Sequence, residues 1–296
     1  MVRFTDQAIV LRRWEWSETS QTVALFTQSR GVLRGLAKGA KREKSSFSGG
    51  FEPLTRGQIV AIDRKATELA LLTEWDLQEV FRVPRRNLHA HYAALYLMDL
   101  TLRIMGHADP HPNLWWALVR SLRAIDAGAA PSLAAMLYQW AALVETGRQP
   151  DLSAARGCDA RDANSPLVFD PQAGRFVDPA TAATRKDVWR VRRSTASLLG
   201  QASALHDAWI APVDLASQRD WGAHANSLAD TDVRTVSRAN HFLAALHFWV
   251  DGGEAMGAVE AFLGRPLTVI RRLRKPQRHA STLRRNRIPA RSLQDR

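Results

Sequence analysis

The chain has 296 residues, a net charge of +12 and one cysteine, Cys158. Its mean hydropathy of -0.25 excludes a disordered chain, and no apolar run approaches the ~18 to 20 residues of a membrane helix. A single cysteine excludes an internal disulfide framework and the amino terminus carries no apolar targeting segment, so we expect a cytoplasmic protein.

The first 80 residues alternate short apolar runs with turns. An apolar run ending in basic residues predicts a strand over residues 8–14, and period-two alternation predicts strands over 22–27, 31–37, 58–63 and 68–74. Five short strands with no helix-length segment between them predict a small closed or partly closed barrel. The third connection, residues 38–53, is the long one, and such a barrel carries its binding loop there.

After residue 86 the apolar spacing becomes that of helices. Helices are predicted over residues 88–102 and 113–125, from Pro131 to a stop at Gly147, and over 184–204, 230–250 and 254–263. Residues 149–184 lack this period and predict an irregular excursion. The predicted fold is therefore α+β, with a barrel at 1–80, a helical domain at 86–264 and a basic tail at 265–296.

Positive charge is concentrated in two segments. Residues 30–44 hold six basic side chains against Glu43 alone, and residues 265–296 hold eleven against Asp295 alone. Lys and Arg neutralise phosphates, and aromatic faces beside them stack on unpaired bases. The alternative is that the loop is a solvated connection, that the nearby tryptophans are core, and that the tail serves only solubility.

The binding interpretation assigns nucleic-acid contacts to both basic segments and to the end of the first strand. The predicted contacts are Arg34, Lys38, Lys41, Arg42 and Lys44, the tryptophans Trp14 and Trp16, and the tail residues Arg271, Arg272, Arg274 and Lys275. Two phenylalanines of the loop, Phe47 and Phe51, are further candidates for stacking faces.

Catalytic signatures are missing from the sequence. It contains no G-x-S-x-G, no H-E-x-x-H and no G-x-G-x-x-G after a strand. The stretch from Gly39 to Ser45 lacks the second glycine of a phosphate-binding loop. Cys158 alone does not make a zinc site, which needs about four ligands. We therefore predict a protein that is not an enzyme and has no metal or other cofactor.

The segment AIVLRRWEWSETSQTVALFTQSRGVLRGLAKGAKREKSSFSGGFEPL resembles the amino-terminal signature of the RecO family, bacterial DNA repair proteins of the recombination-mediator class. The resemblance is carried by WSETS at 16–20, LFT at 25–27, Gly31, AKGAK at 37–41 and FEPL at 51–54. A looser similarity continues through Gly147 with PDL at 150–152, and through RANHFLAALHFWV and LGRPLTVIRRL.

This resemblance implies an OB-fold barrel, a helical body and no enzymatic turnover. It implies binding to single- and double-stranded DNA, annealing of complementary strands and, with RecR, loading of RecA where the single-strand-binding protein coats DNA. It also implies a nucleoid-associated location and a helical pocket for the acidic, phenylalanine-ended tail of that coating protein. We assign the apolar part of this pocket to Leu133, Met136, Leu137 and Trp140, and its cations to Arg103, Arg120 and Arg123. The alternative is that these arginines are solvated surface.

The chain departs from the family pattern at its zinc loop. Many relatives carry two C-x-x-C pairs, whereas here Cys158 stands alone, its partner position is Ala155, and the second pair falls near Asp178 and Thr181. Two other functions remain open at this stage: an RNA-binding OB module with a helical interaction domain, and an enzyme with unrecognised catalytic residues.

Overall fold

Five strands close into a barrel at the amino terminus. They are β1 (Val2–Glu15), β2 (Gln21–Thr27), β3 (Gly31–Ala37), β4 (Thr55–Asp63) and β5 (Leu69–Val80). The strand order is β1-β2-β3-β5-β4, and β3 pairs with β5 in parallel while the other neighbours pair antiparallel. This is the five-stranded Greek-key barrel of an OB fold, which confirms the predicted α+β class.

The computed structural model describes residues 2–42, 45–47, 49–63, 69–153, 166–177, 187–214 and 223–250. The predicted helix at 254–263, the basic tail with Arg271, Arg272, Arg274 and Lys275, and the degenerate zinc positions lie outside these residues, as does Lys44.

The barrel interior is filled by alternate residues of each strand, among them Val10, Val23 and Leu25. Phe47 and Phe51 close it from the long connection: Phe51 is fully buried, and its ring centroid lies 5.1 Å from Trp75 and 5.4 Å from Phe47. The prediction that these phenylalanines are stacking faces is therefore wrong, because both rings contribute apolar area to the barrel core.

A helical body follows the barrel. A short 3-10 turn (Val83–Arg85) leads into α1 (Leu88–Ile104), α2 (Pro112–Asp126) and α3 (Pro131–Glu145). Asn87 caps α1 by accepting a hydrogen bond from the Ala90 backbone N–H, and proline at the first turn starts α2 and α3. Gly147 follows α3 with φ +68°, the left-handed conformation in which glycine ends a helix.

The carboxyl-terminal helices pack around α3. They are α4 (Arg193–Ala204), α5 (His206–Ile210), α6 (Ala223–Asn226) and α7 (Val233–Val250). Helix α3 contacts α1, α2, α4 and α7, so it lies at the centre of the body and is buried nearly all round. No helix in the described part of the chain combines the length and apolarity needed to cross a bilayer.

The segment predicted to be irregular contains part of a small sheet. Strands β6 (Pro166–Asp170), β7 (Arg175–Val177) and β8 (Trp189–Arg192) pair in the order β7-β6-β8. The helix predicted over 184–204 was therefore placed too early, since residues 189–192 are strand. Their period-two pattern buries Trp189 and Val191, and the rings of Trp189 and Phe169 pack on Phe242 of α7.

Buried ion pairs join the barrel to the helical body. Glu79 on β5 accepts hydrogen bonds from Nε of Arg56 on β4 and from Nε of Arg123 on α2, each at 2.6 Å. Both arginine side chains are almost fully buried, at 4% and 7% exposure. Next to them the Asp126 carboxylate accepts a hydrogen bond from the Val83 backbone N–H at 2.7 Å. The Glu79 carboxylate thus joins β4 and β5 of the barrel to α2.

A second junction joins the turn between β2 and β3 to the connection between α1 and α2. The Ala108 backbone N–H donates to the Val32 carbonyl at 3.0 Å. The indole N–H of Trp115 on α2 donates to the Phe26 carbonyl at 3.1 Å. Gly31 has φ +70°, and a Cβ built there would lie 1.9 Å from the Asp109 carbonyl oxygen. Only glycine permits this approach.

Candidate nucleic-acid interface

Cross-strand register places Arg12, Trp14 and Arg34 on one outward face of the barrel. Arg12 on β1, Ala24 on β2 and Arg34 on β3 are direct neighbours across the three strands. Residues Val23 and Leu25 point into the barrel core, so Ala24 and the neighbours in its row point outward. The Ala24 side chain is itself fully buried, so Arg12 and Arg34 are the exposed side chains of this row.

The next outward row continues towards the end of the barrel. Trp14, Thr22 and Leu36 are neighbours in it, because each lies two residues further along its strand from the first row. The Arg12 guanidinium carbon lies 5.4 Å from the centroid of the Trp14 ring, a cation–π contact. Trp14 is 37% exposed and Trp16, at the strand end, is 60% exposed. Neither tryptophan is core.

The long connection begins beside this strand end and is fastened to it. The Lys41 backbone N–H donates to the Thr19 carbonyl, and the Gly39 N–H donates to the Ser20 hydroxyl. These bonds position Lys38 and Arg42 next to the hairpin that joins β1 to β2. Both side chains are exposed.

The charge on this end of the barrel is strongly positive. Residues 12–20 and 34–42 together hold six basic and two acidic side chains. Within the described residues Arg34, Lys38 and Arg42 form no ion pair, whereas Lys41 pairs with Glu15. Lys41 is thus partly neutralised and offers less to a phosphate than its neighbours. We call Arg12, Trp14, Trp16, Arg34, Lys38 and Arg42 the barrel-end surface.

Sequence reasoning missed Arg12, which lies beside the predicted tryptophan contacts. Its signal was available, because Arg12 and Arg13 immediately precede Trp14. Arg13 points the other way and forms an ion pair with Glu52. Only the strand register separates the two arginines, since adjacent residues of a strand face opposite sides.

The predicted pocket on the helical body is not assembled as expected. Arg120 is buried, and it donates from Nε to the Trp209 carbonyl at 3.0 Å and from its terminal nitrogen to the Ala211 carbonyl at 3.1 Å. Arg123 is buried against Glu79. These two arginines are structural, and they are not a rim for a docking peptide. Arg103 is exposed and pairs with Asp99 on its own helix.

The predicted apolar floor of the pocket also lies in the core. Leu133, Met136 and Leu137 are at most 3% exposed, because α3 is surrounded by other helices. Trp140 alone reaches an opening, a cavity of about 320 Å³ formed with residues 149–153 and Ser203. The indole N–H of Trp140 has no hydrogen-bond partner within the described residues. The apolar hole and the cationic rim are therefore not brought together.

The titratable groups of the helical core are structural. Tyr96 donates to the Gln139 side-chain oxygen at 2.8 Å, and burial raises the pKa of Tyr96 and of Tyr138 above the usual tyrosine value. Burial lowers the pKa of His247 to about 3, although its bond to the Gln139 carbonyl acts in the other direction. Across the described ranges no three His, Cys, Asp or Glu side chains are grouped to hold a metal ion.

Fold and surface together define a class of protein: an OB-fold barrel with an exposed basic, tryptophan-bearing end, joined to a helical body. The family model "Recombination protein O N terminal" matches residues 1–81, and "Recombination protein O C terminal" matches residues 85–205. The chain belongs to the RecO family, whose role is in DNA repair and recombination.

Similar proteins carry the same family name. The DNA repair protein RecO of Myxococcus xanthus is 26% identical over 188 residues, which cover 64% of this chain and 77% of that protein. The DNA repair protein RecO of Salinibacter ruber is 35% identical over 124 residues, covering 42% of this chain and 48% of the relative. That of Anaeromyxobacter sp. (strain K) is 30% identical, covering 59% of this chain and 68% of the relative.

Proposed function

We propose that this protein is a DNA-binding recombination mediator. It binds single- and double-stranded DNA at the barrel-end surface and anneals complementary strands. With RecR it helps load RecA on DNA coated by the single-strand-binding protein. The observation that carries the proposal is the outward row of Arg12, Ala24 and Arg34 beside exposed Trp14 and Trp16, in a chain of the RecO family.

The chemistry of this surface suits a strand whose bases must stay available. Cations on the outer face neutralise phosphates without reading sequence. Trp14 and Trp16 offer ring faces on which any base stacks. Two DNA strands held in this way repel each other less, because the protein supplies positive charge. The hydrogen-bonding edges of their bases remain available for pairing. Binding and strand exchange of this kind require no catalytic group, and we propose that the protein is not an enzyme.

Strand annealing tests the function directly. Two complementary oligonucleotides, each coated with the single-strand-binding protein, should form duplex faster when this protein is added. The alternative, an RNA-binding OB module, predicts tighter binding to RNA than to DNA of the same sequence and no acceleration of annealing. Turnover of nucleic acid by the purified protein would instead indicate an enzyme.

We also propose contact with the single-strand-binding protein through the helical body and contact with RecR. Support for the first comes from family membership and from Arg103, the exposed member of the three predicted cations. Arg120 and Arg123 are withdrawn from this role because their side chains are buried in structural bonds.

A further inference from the structure

We propose that the nucleic-acid path does not end at the barrel but continues across the barrel–body junction onto the start of α1. The junction surface consists of Arg82, Arg86, Leu88 and Tyr92, which no family assignment or sequence prediction marks as a contact. The inference rests on the proposed DNA-binding function and extends its site.

The residues of the junction surface are exposed, and two of them are basic. Leu88 is 67% exposed and Tyr92 is 43% exposed, and they lie one helical turn apart on α1. Arg82 and Arg86 are exposed, and neither side chain forms an ion pair with a described residue. Two exposed cations beside an exposed aromatic ring repeat the composition of the barrel-end surface.

Nearby carboxylates are already engaged, so they do not oppose a phosphate chain. Residues 81–92 contain no acidic side chain. Glu79 is held between Arg56 and Arg123, and Asp126 accepts the hydrogen bond from the Val83 N–H. A phosphate at Arg82 or Arg86 would therefore meet positive charge with little competing repulsion.

Continuity with the barrel-end surface is the third observation. Arg13, which lies between Arg12 and Trp14 in sequence but faces the opposite side of β1, forms an ion pair with Glu52. The next residue, Pro53, accepts a hydrogen bond through its carbonyl from Arg85 at 2.9 Å. Helix α1 itself packs on β2 and on β1, the strand that carries Arg12 and Trp14. Residues adjacent to the two surfaces are thus linked through segment 52–53, and this favours one continuous DNA strand over an unrelated acidic protein as the occupant.

The test uses single-stranded DNA of two lengths. An oligonucleotide of about 8 nucleotides fits within one OB fold, whereas one of about 30 nucleotides extends beyond it. The variant Arg82→Ala/Arg86→Ala/Tyr92→Ala should bind the longer oligonucleotide about tenfold more weakly and the shorter one as the wild type does. Loss of two phosphate contacts should also flatten the log–log salt dependence for the longer strand by about 1.4.

A matched variant controls for charge and folding. Arg175→Ala/Arg190→Ala/Val233→Ala removes the same charge from exposed positions on β7, β8 and α7, and should bind both lengths normally. Iodouracil in the longer strand should also cross-link to the peptide containing Tyr92. Wild-type affinity of the junction variant for the longer strand, with no such cross-link, would overturn the inference and assign the surface to a protein partner. A wild-type protein that binds neither strand would overturn the proposed function itself.

Discussion

Replacing the carboxylate of Glu79 should weaken the junction between the barrel and the helical body, because Glu79 on β5 bonds to Arg123 on α2. Both of its oxygens are in use: Oε1 accepts from Arg123 Nε at 2.6 Å, and Oε2 accepts from Arg56 Nε at 2.6 Å and from a terminal nitrogen of Arg123 at 2.9 Å. Glu79→Ala leaves two buried guanidinium groups without this counter-charge. Removing one partner of a buried ion pair costs about 3–5 kcal/mol, and we expect a loss of that size in the free energy of unfolding.

The chain supplies a matched control on the same strand. Glu74 pairs with Arg3, but their side chains are 53% and 65% exposed. Glu74→Ala should cost no more than about 1 kcal/mol, because water already screens that pair. Equilibrium unfolding in urea, followed by circular dichroism, measures both variants, and limited proteolysis after Arg82, Arg85 and Arg86 reports opening of the junction. If Glu79→Ala is as stable as Glu74→Ala and equally resistant, the buried pair does not hold the two parts together.

Three further outcomes follow from single residues. Burial of His247 lowers its pKa to about 3, so between about pH 6.5 and pH 3 the unfolded state binds a proton at this residue and the folded state does not. The free energy of unfolding should therefore fall by about 2 kcal/mol from pH 7 to pH 5. His247→Gln should remove this part of the pH dependence in urea titrations, and an unchanged slope would contradict the burial argument. Gly31→Ala should lower the free energy of unfolding by at least ~2 kcal/mol, because of the positive φ and the Asp109 contact. Gly128→Ala, with φ +90° and nothing within 4 Å, should lower it by about 1 kcal/mol. Equal losses would show that the turn at Gly31 moves to accommodate a Cβ. Arg103→Ala should weaken binding of an acidic, phenylalanine-ended peptide about tenfold, or 1.4 kcal/mol, in an anisotropy titration, and unchanged affinity would remove the last predicted cation from that site.

Local sequence patterns predicted much of the fold. Strand β3 was predicted with its observed bounds, because Gly31 and the basic loop mark its two ends. Strand β1 begins earlier than predicted, at Val2. Its first residues include several polar side chains and are held by pairing with β4, which the local apolar pattern does not indicate. Strand β8 was mistaken for helix because a four-residue strand next to a helix gives too short a pattern to separate the two periods.

The candidate site depended on information that single segments do not contain. Arg120 and Arg123 lie on an amphipathic helix and resemble surface residues, yet their partners, Trp209 and Glu79, are 89 and 44 residues away in sequence. Phe47 and Phe51 lie in a basic, glycine-rich loop, and only barrel closure shows that they fill its interior. The sequence left open whether Trp14 and Trp16 were core; the strand register places Trp14 on the outer face, and both side chains are exposed.

The salt dependence of DNA binding tests the barrel-end surface most directly. In the variant Arg34→Ala/Lys38→Ala/Arg42→Ala three exposed cations are lost, while Arg12 stays in place under Trp14. The slope of log K against log salt should flatten by about 2.1 on single-stranded DNA and about 2.7 on duplex, equally for every sequence, since each phosphate contact contributes about 0.7 or 0.9. The control Arg175→Ala/Arg190→Ala/Arg234→Ala removes the same charge from the helical body and its small sheet and should keep the wild-type slope. Equal slopes for both variants would contradict the assignment of the barrel end as the DNA-binding surface.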